Sequence, residues 1–394
     1  MNGIFETIKH LCCDGVEFKS LGEVARIKNG KDHKGLNDGE FPVYGSGGIM
    51  RYVDSYAYNK PSVLIPRKGS LSNLFYVDVP FWNVDTIFYT EIDETQLNPK
   101  FLYYFLSTVG LGNMNQAGGV PSQTQAVLKE LKIAVPPLEV QLEIVKVLDI
   151  FIKLEAELEA ELEARRKQYE YYRDMLLTFD ERTDSASKQA SKQAIIMALG
   201  EVGYFVRGTG IQKSDFREKG VGCIHYGQVH THYGTWADET KSFVDPEFAQ
   251  KLRKAQKGDL VIATTSEDDD AVAKAVAWLG EEDVVVSTDA YIYRHSLNPK
   301  YVSYFFQTEQ FHKQKRPYIT GTKVRRISGE NLAKINIPVP AREEQDRIVA
   351  ILDKFDVLTN SIAEGLPREI ELRRKQYEYY RDKLLSFVPL EKTA

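Results

Sequence analysis

The sequence predicts an α+β chain made of two pseudo-repeated globular domains and two long helices that pair as an antiparallel coiled coil. Three observations carry that prediction. Residues 165–174, RRKQYEYYRD, recur unchanged at 373–382, and each copy continues through Leu-Leu and Thr or Ser to Phe179 or Phe387. A separation of about 200 residues is too long for a solenoid unit and has the size of a domain. Working backward from the copies, KIAVPPLEVQLEIVKVLDIF (132–151) matches NIPVPAREEQDRIVAILDKF (336–355), LNPKFLYYFL (97–106) matches LNPKYVSYFF (297–306), and LGEV occurs at 21–24 and 199–202. Finally, apolar residues fall at steps of three or four along both segments that carry the copies.

These marks divide the chain into a globular domain at 1–137, a helix at 138–179, a linker at 180–198, a second globular domain at 199–340 and a second helix at 341–388. In the globular parts, short β-type runs at 62–65, 74–77, 260–263 and 284–287 sit between Gly, Asn and Asp clusters. They predict a curved or partly closed sheet with few helices. LNPK opens one of those helices, with Asn98 as N-cap and Pro99 in the first turn.

The first long helix has its stripe at Ile144, Leu148, Phe151, Leu154, Leu158, Leu162, Tyr169, Tyr172, Leu176 and Phe179. Its middle, LEAELEAELEA at 154–164, writes a four-residue unit nearly three times. Each unit adds about 6 Å and, being no whole heptad, also adds rotation. The helix therefore reads as a ruler. In the second helix the stripe runs through Ile348, Leu352, Phe355, Leu358, Ile362, Leu366, Ile370, Tyr377, Tyr380, Leu384 and Phe387, with an interruption expected at Gly365 and Pro367. Antiparallel pairing gives each half an equivalent environment.

A chain of 394 residues holds two cores, and 43% hydrophobic with 27% charged residues is ordinary for a globular protein. The start, MNGIFETIKHLCC, is too short and polar for a signal peptide, and no apolar run approaches membrane length. Cys12, Cys13 and Cys223 have neither disulfide nor metal-ligand spacing, which predicts a cytoplasmic setting. A net charge of −5 gives no whole-chain sign of nucleic acid, so any such surface is local.

No catalytic constellation assembles. GxxxxGK[ST], HExxH, GxSxG and CxxC are all missing. FVRGTG (205–210) has the look of a glycine-rich cofactor turn, but its counterpart IKNGKD (27–32) lacks the second glycine, so both read as turns. LNPK imitates an adenine-methyltransferase motif with Lys100 or Lys300 in place of the second proline, and reads as structural. The acidic run 267–270 reads as a solvated loop rather than a metal site.

The polar loops have the composition of a recognition surface. The first domain offers Lys31, His33, Lys34, Arg51, Arg67, Lys68, Ser70 and Asn73, then Gln116 and Gln123. The second offers Gln212, Lys213, His225, Tyr226, Gln228, His230 and Thr231, then Thr265 and Ser266, and Lys323, Arg325 and Arg326. Arg, Lys, Asn and Gln suit base edges in the major groove, while Ser, Thr and Lys suit phosphates. Singly, each is an ordinary solvated residue; the grouping makes them double-stranded DNA contacts. Within the repeat, Arg165, Arg166, Tyr169, Tyr172 and Arg173, with Arg373, Arg374, Tyr377, Tyr380 and Arg381, are candidates for partner docking as well as for the helical seam.

The duplicated RRKQYEYYRD with LL[TS]F, the paired Pro-marked helix starts and the tandem LEAE unit resemble the specificity subunit of type I restriction–modification systems, over about residues 15–388. That resemblance implies a non-catalytic DNA reader with two target-recognition domains, each taking half of a bipartite asymmetric site. The helices would set the spacer and dock two methyltransferase subunits. Adenosylmethionine would belong to those subunits, and ATP with magnesium to a restriction subunit; none is expected in this chain. A coiled-coil adaptor that bridges two identical partners without reading DNA is the alternative.

Overall fold

The computed structural model describes residues 2–114, 120–179, 194–361 and 363–390. The chain forms two compact units, Met1–Leu158 with Ile370–Ala394, and Glu159–Glu369. Six helices matter below: α1 (Asn2–Leu11), α2 (Pro99–Thr108), α3 (Leu138–Leu177), α4 (Pro299–Phe305), α5 (Arg342–Asn360) and α6 (Leu366–Leu384). None of the described helices is long and apolar enough to cross a membrane.

The first unit holds three small sheets in place of the single curved sheet expected. One has the strand order 25–29, 87–92, 62–66, 75–77, all antiparallel, and one has the order 48–53, 41–45, 82–83. Glu17–Ser20 pairs antiparallel with Lys132–Val135 and closes the globular part just before α3. The strand Ser62–Pro66 is buried along its whole length, and its Val63 and Ile65 share one core with Phe101, Tyr104, Ile144 and Leu148. That core continues onto Leu384 and Leu385 at the end of α6 and onto Ile4 of α1.

The second unit repeats the plan. Strands 203–207, 290–295, 260–263 and 274–278 follow the order of their counterparts, with 236–237 added at the edge. A second sheet runs 242–244, 221–224, 284–286, 254–255. Ile195–Ala198 pairs with Asn336–Val339, as Glu17–Ser20 does with Lys132–Val135. These four residues, taken from sequence as linker, are therefore a strand; their repeat partner 17–20 is equally short and equally easy to miss. Residues 180–193 of that linker lie outside the described residues, as does Gln116.

Both LNPK segments are helix starts. The side chains of Asn98 and Asn298 each accept two backbone N–H bonds from the first turns of α2 and α4. A glutamine on the long helix locks each start: Gln141 Oε1 accepts the Asn98 N–H at 2.7 Å, and Gln345 does the same for Asn298 at 2.8 Å.

The long helices pair antiparallel within the first unit. Phe151 stacks on Tyr380 at 5.6 Å, and one turn further along α3 Glu155 meets Arg374 at 2.5 Å. In the second unit Tyr172 stacks on Phe355 at 5.7 Å. Leu154, placed on the stripe by its spacing, is 39% exposed and stands outside the seam. The second helix breaks where its glycine and proline predict. Ser361 Oγ accepts the N–H groups of Ala363 and Glu364, and a Cβ on Gly365 would sit 2.3 Å from the Val357 carbonyl. Pro367 then occupies the first turn of α6, where no hydrogen bond is lost.

Candidate nucleic-acid interface

In the first unit the polar loops gather on the turn at 84–86, just before the strand Ile87–Ile92. The Thr86 carbonyl accepts the N–H groups of Arg67 (2.9 Å) and Lys68 (3.2 Å), and its hydroxyl accepts that of Ser46 (3.3 Å). Asn73 Nδ2 donates to the Ser46 carbonyl, and Gly69 N–H donates to that of Pro121. Segments distant in sequence, at Ser46, Thr86 and Pro121, thus hold one loop that presents Arg67, Lys68, exposed Ser70 and Asn73. Asp85 moderates the charge, its carboxylate 3.8 Å from Lys68 Nζ and its carbonyl 3.5 Å from the Arg67 guanidinium.

Lys31 is tied beside the same turn; His33 and Lys34 follow it in the chain, and Arg51 lies on the strand Gly48–Val53. Lys31 N–H donates to the Asn83 carbonyl, Trp82 Nε1 donates to the Lys31 carbonyl, and Lys34 N–H is held by Asp32. Arg51 reaches Asp38 at 2.7 Å and the Leu36 carbonyl at 3.2 Å. Gln123 corrects the sequence reading. It is 2% exposed, and its Nε2 donates to the Pro66 carbonyl at 2.6 Å. It supports the loop that carries Arg67 and offers nothing to a base edge.

The second unit uses the corresponding turn, 287–289, ahead of Ala290–His295. Ser287 Oγ accepts the Tyr226 N–H (2.8 Å), and the Asp289 carbonyl accepts the N–H of Thr264 (3.0 Å). Thr265 pairs with Arg326 and Ser266 with Arg325 in a two-residue ribbon, and the His230 ring is 3.0 Å from the Thr265 carbonyl. Arg325 also holds Asp269 at 2.8 Å, so the acidic run is partly neutralised by the ribbon beside it. Gln212, Lys213, Thr231, Lys323 and Arg326 are exposed; Tyr226, His230, Ser266 and Arg325 are half-buried.

Three candidates in this unit act within the protein. His225 is 7% exposed and caps the helix Tyr226–Thr231 by accepting the Gly227 N–H at Nδ1. Burial, helped by the charge of Lys213, lowers its pKa below the ordinary imidazole value and keeps it a neutral acceptor. Gln228 completes that cap and donates to Ser242 Oγ. Thr265 is 6% exposed. The short helix 226–231 was not visible as a helix in the sequence, so its capping residues looked like free recognition groups.

The glycine-rich segments are explained by packing. A Cβ on Gly30 would lie 2.0 Å from the Val84 carbonyl, and one on Gly208 2.1 Å from the Ser287 carbonyl. Each glycine lets the strand end lie flat against the turn that gathers the loops.

On the helices, the four docking tyrosines belong to the seam. Tyr169 is 5% exposed, Tyr172 stacks on Phe355, Tyr380 stacks on Phe151, and Tyr377 packs against the first core. Arg173 and Arg381 lie over Tyr169 and Tyr377 and pair with Asp174 and Asp382. Arg165 pairs with Glu161, Arg374 with Glu155, and Arg373 with Gln376. Arg166 is exposed. The face turned to solvent instead carries Tyr171 and Tyr379, 65% and 59% exposed, at the same position of the two copies. The seam period itself could have found them, since both fall two residues past a seam tyrosine.

Comparison with known proteins agrees with this arrangement. The family model described as the type I restriction modification DNA specificity domain matches residues 14–164 and again 194–372. A type I restriction enzyme specificity subunit of Escherichia coli is 35% identical, covering 95% of each chain. A putative type I specificity subunit of Haemophilus influenzae is 33% identical, covering 94% of this chain and 96% of its own. Among solved structures, the S subunit of a type I restriction-modification system from M. genitalium superposes with a TM-score of 0.55 at 18% identity, covering 94% and 96% of the two chains. With two matched segments, each holding one cluster of converging loops, the chain belongs to the type I restriction–modification DNA specificity family.

Proposed function

We propose that the chain reads a bipartite, asymmetric duplex, each unit taking one half through the loops gathered on its turn at 84–86 or 287–289. One observation carries this reading. Two units with different loop sequences gather polar loops on corresponding turns of the repeated fold. The long helices set the spacer and dock two methyltransferase subunits through the outward face of RRKQYEYYRD. Those subunits supply adenosylmethionine and the adenine-N6 chemistry, a restriction subunit supplies ATP-dependent cleavage, and this chain supplies no catalytic group. The complex works in the cytoplasm.

The test is genome-wide mapping of methylated adenines in cells carrying this subunit, followed by binding of the purified complex to the mapped duplex. A split motif bound with steep salt dependence supports the reading. Binding to partner subunits with no preference among duplexes would leave only the adaptor function.

A further inference from the structure

Around the turn of the second unit lie two arginines that none of the recognition groups above includes. Arg207 ends the strand Gly203–Arg207, and Arg253 precedes the strand Lys254–Ala255; both are exposed. Arg207 Nε donates to the Thr288 carbonyl at 3.1 Å, and Arg253 Nη1 donates to the Arg207 carbonyl at 2.7 Å. Each guanidinium is thereby anchored by a neutral acceptor and keeps most of its five N–H donors. Among the described residues no carboxylate stands within ion-pair distance of either. Arg294, Arg316 and Arg325 of the same unit all have one.

Two hydroxyls complete the cluster. Thr288 Oγ1 accepts the Gly210 N–H at 2.8 Å, and Thr209 Oγ1 accepts the Arg253 N–H at 3.0 Å. With one acceptor site filled, each retains its proton to donate outward. The first unit is built differently at the same places. Asn29 stands where Arg207 does, and the turn carries Asp85 where the second carries Thr288. The cations are thus a property of this unit and not of the repeated fold.

We infer that Arg207, Arg253, Thr209 and Thr288 grip backbone phosphate of the duplex and seat the second unit on it without reading sequence. Two anchored cations with no carboxylate in ion-pair distance, and two hydroxyls whose protons are free to donate, match the acceptor oxygens of a phosphate diester. The inference rests on the DNA-reading function proposed above.

The experiment uses the chain assembled with its methyltransferase partner, a labelled duplex carrying the mapped motif and a random duplex, titrated across salt concentrations. Replacing both arginines (R207Q with R253Q) should weaken both duplexes alike, by roughly 10- to 100-fold, and reduce the salt slope by about 2. The motif-to-random ratio and the mapped methylation motif should not change. The charge-preserving pair R207K with R253K should keep the slope, which holds the test open should the glutamine pair fold poorly. Wild-type complex that binds steeply while the glutamine pair keeps both affinity and slope would overturn the inference alone. Loss confined to one half-site would overturn it in favour of base readout. Wild-type complex with no salt-dependent binding would remove the DNA reading itself, and the inference with it.

Discussion

Lys300 Nζ lies 2.7 Å from Asp353 on the long helix, and Lys100 repeats the contact to Asp149 at 2.8 Å. A tyrosine completes each clamp: Tyr304 donates to Asp353 at 2.7 Å, and Tyr104 to Asp149. Burial first, with these carboxylates adding to it, drives both phenols well above the ordinary tyrosine range, so they remain protonated donors. The LNPK lysine thus ties the globular fold to its long helix in both halves. Asp353→Ala strands one cation and one buried hydroxyl and should cost about 2–4 kcal/mol of unfolding free energy. Asp353→Asn, which keeps the Tyr304 bond, should cost less. Denaturant melts of the two variants check this; equal melts for alanine and wild type would show the clamp to be idle.

Acid should loosen the second unit before the first. His295 accepts the Leu297 N–H at Nδ1, and burial, with the charge of Arg342 in support, lowers its pKa from 6.5 to about 4. The unfolded chain then binds a proton that the folded chain refuses between those values. Stability is full above pH 6.5 and falls as pH drops toward 4, by up to about 3 kcal/mol. His225, His230, His232 and His312 shift in the same direction and steepen the loss. His295→Gln should flatten the pH dependence of the melt. A curve as steep as the wild type's would assign the effect to the other four.

The exposed tyrosines separate docking from folding. Tyr171→Ala and Tyr379→Ala remove side chains that the seam does not use, so the melt should stay within a degree or two of wild type. If the proposed docking face is right, each should weaken binding of one methyltransferase subunit by about 10-fold or more, as aromatic anchors do. Tyr169→Ala should do the reverse, costing stability through the cavity it leaves. Titration of partner onto each variant, read by mass or calorimetry, decides between them.

The repeated parts of this chain were legible because identity and a three-to-four period survive in the bare sequence. RRKQYEYYRD, LNPK and the break at Gly365 and Pro367 all depend on neighbours in the chain. The proposed recognition surface depends on distant pairings instead. Asn73 meets Ser46, and Arg253 meets Arg207, only because sheets bring their loops to one turn. Composition could therefore name Lys31, Arg67 or Lys323 as polar recognition candidates, yet could not separate them from Gln123 and His225. Those two have the same chemistry but face inward, holding a carbonyl and a helix start.

The helix α3 runs unbroken through LEAELEAELEA, and pairs four residues apart steady it there: Lys153 with Glu157, Arg165 with Glu161, and Lys167 with Glu163. Glu155 pairs with Arg374, but none of residues 158–161 is buried and Leu154 is itself exposed. The unit can therefore be removed or added without opening a core. Deleting residues 158–161 shortens the helix by about 6 Å and rotates its far end by about 40°. The mapped motif should keep both half-sites and lose about two base pairs of spacer. Inserting one further LEAE should lengthen the spacer by the same amount. Methylation mapping of the two variants reads the result directly. An unchanged spacer in both would mean that the helix carries the units without measuring the distance between their targets.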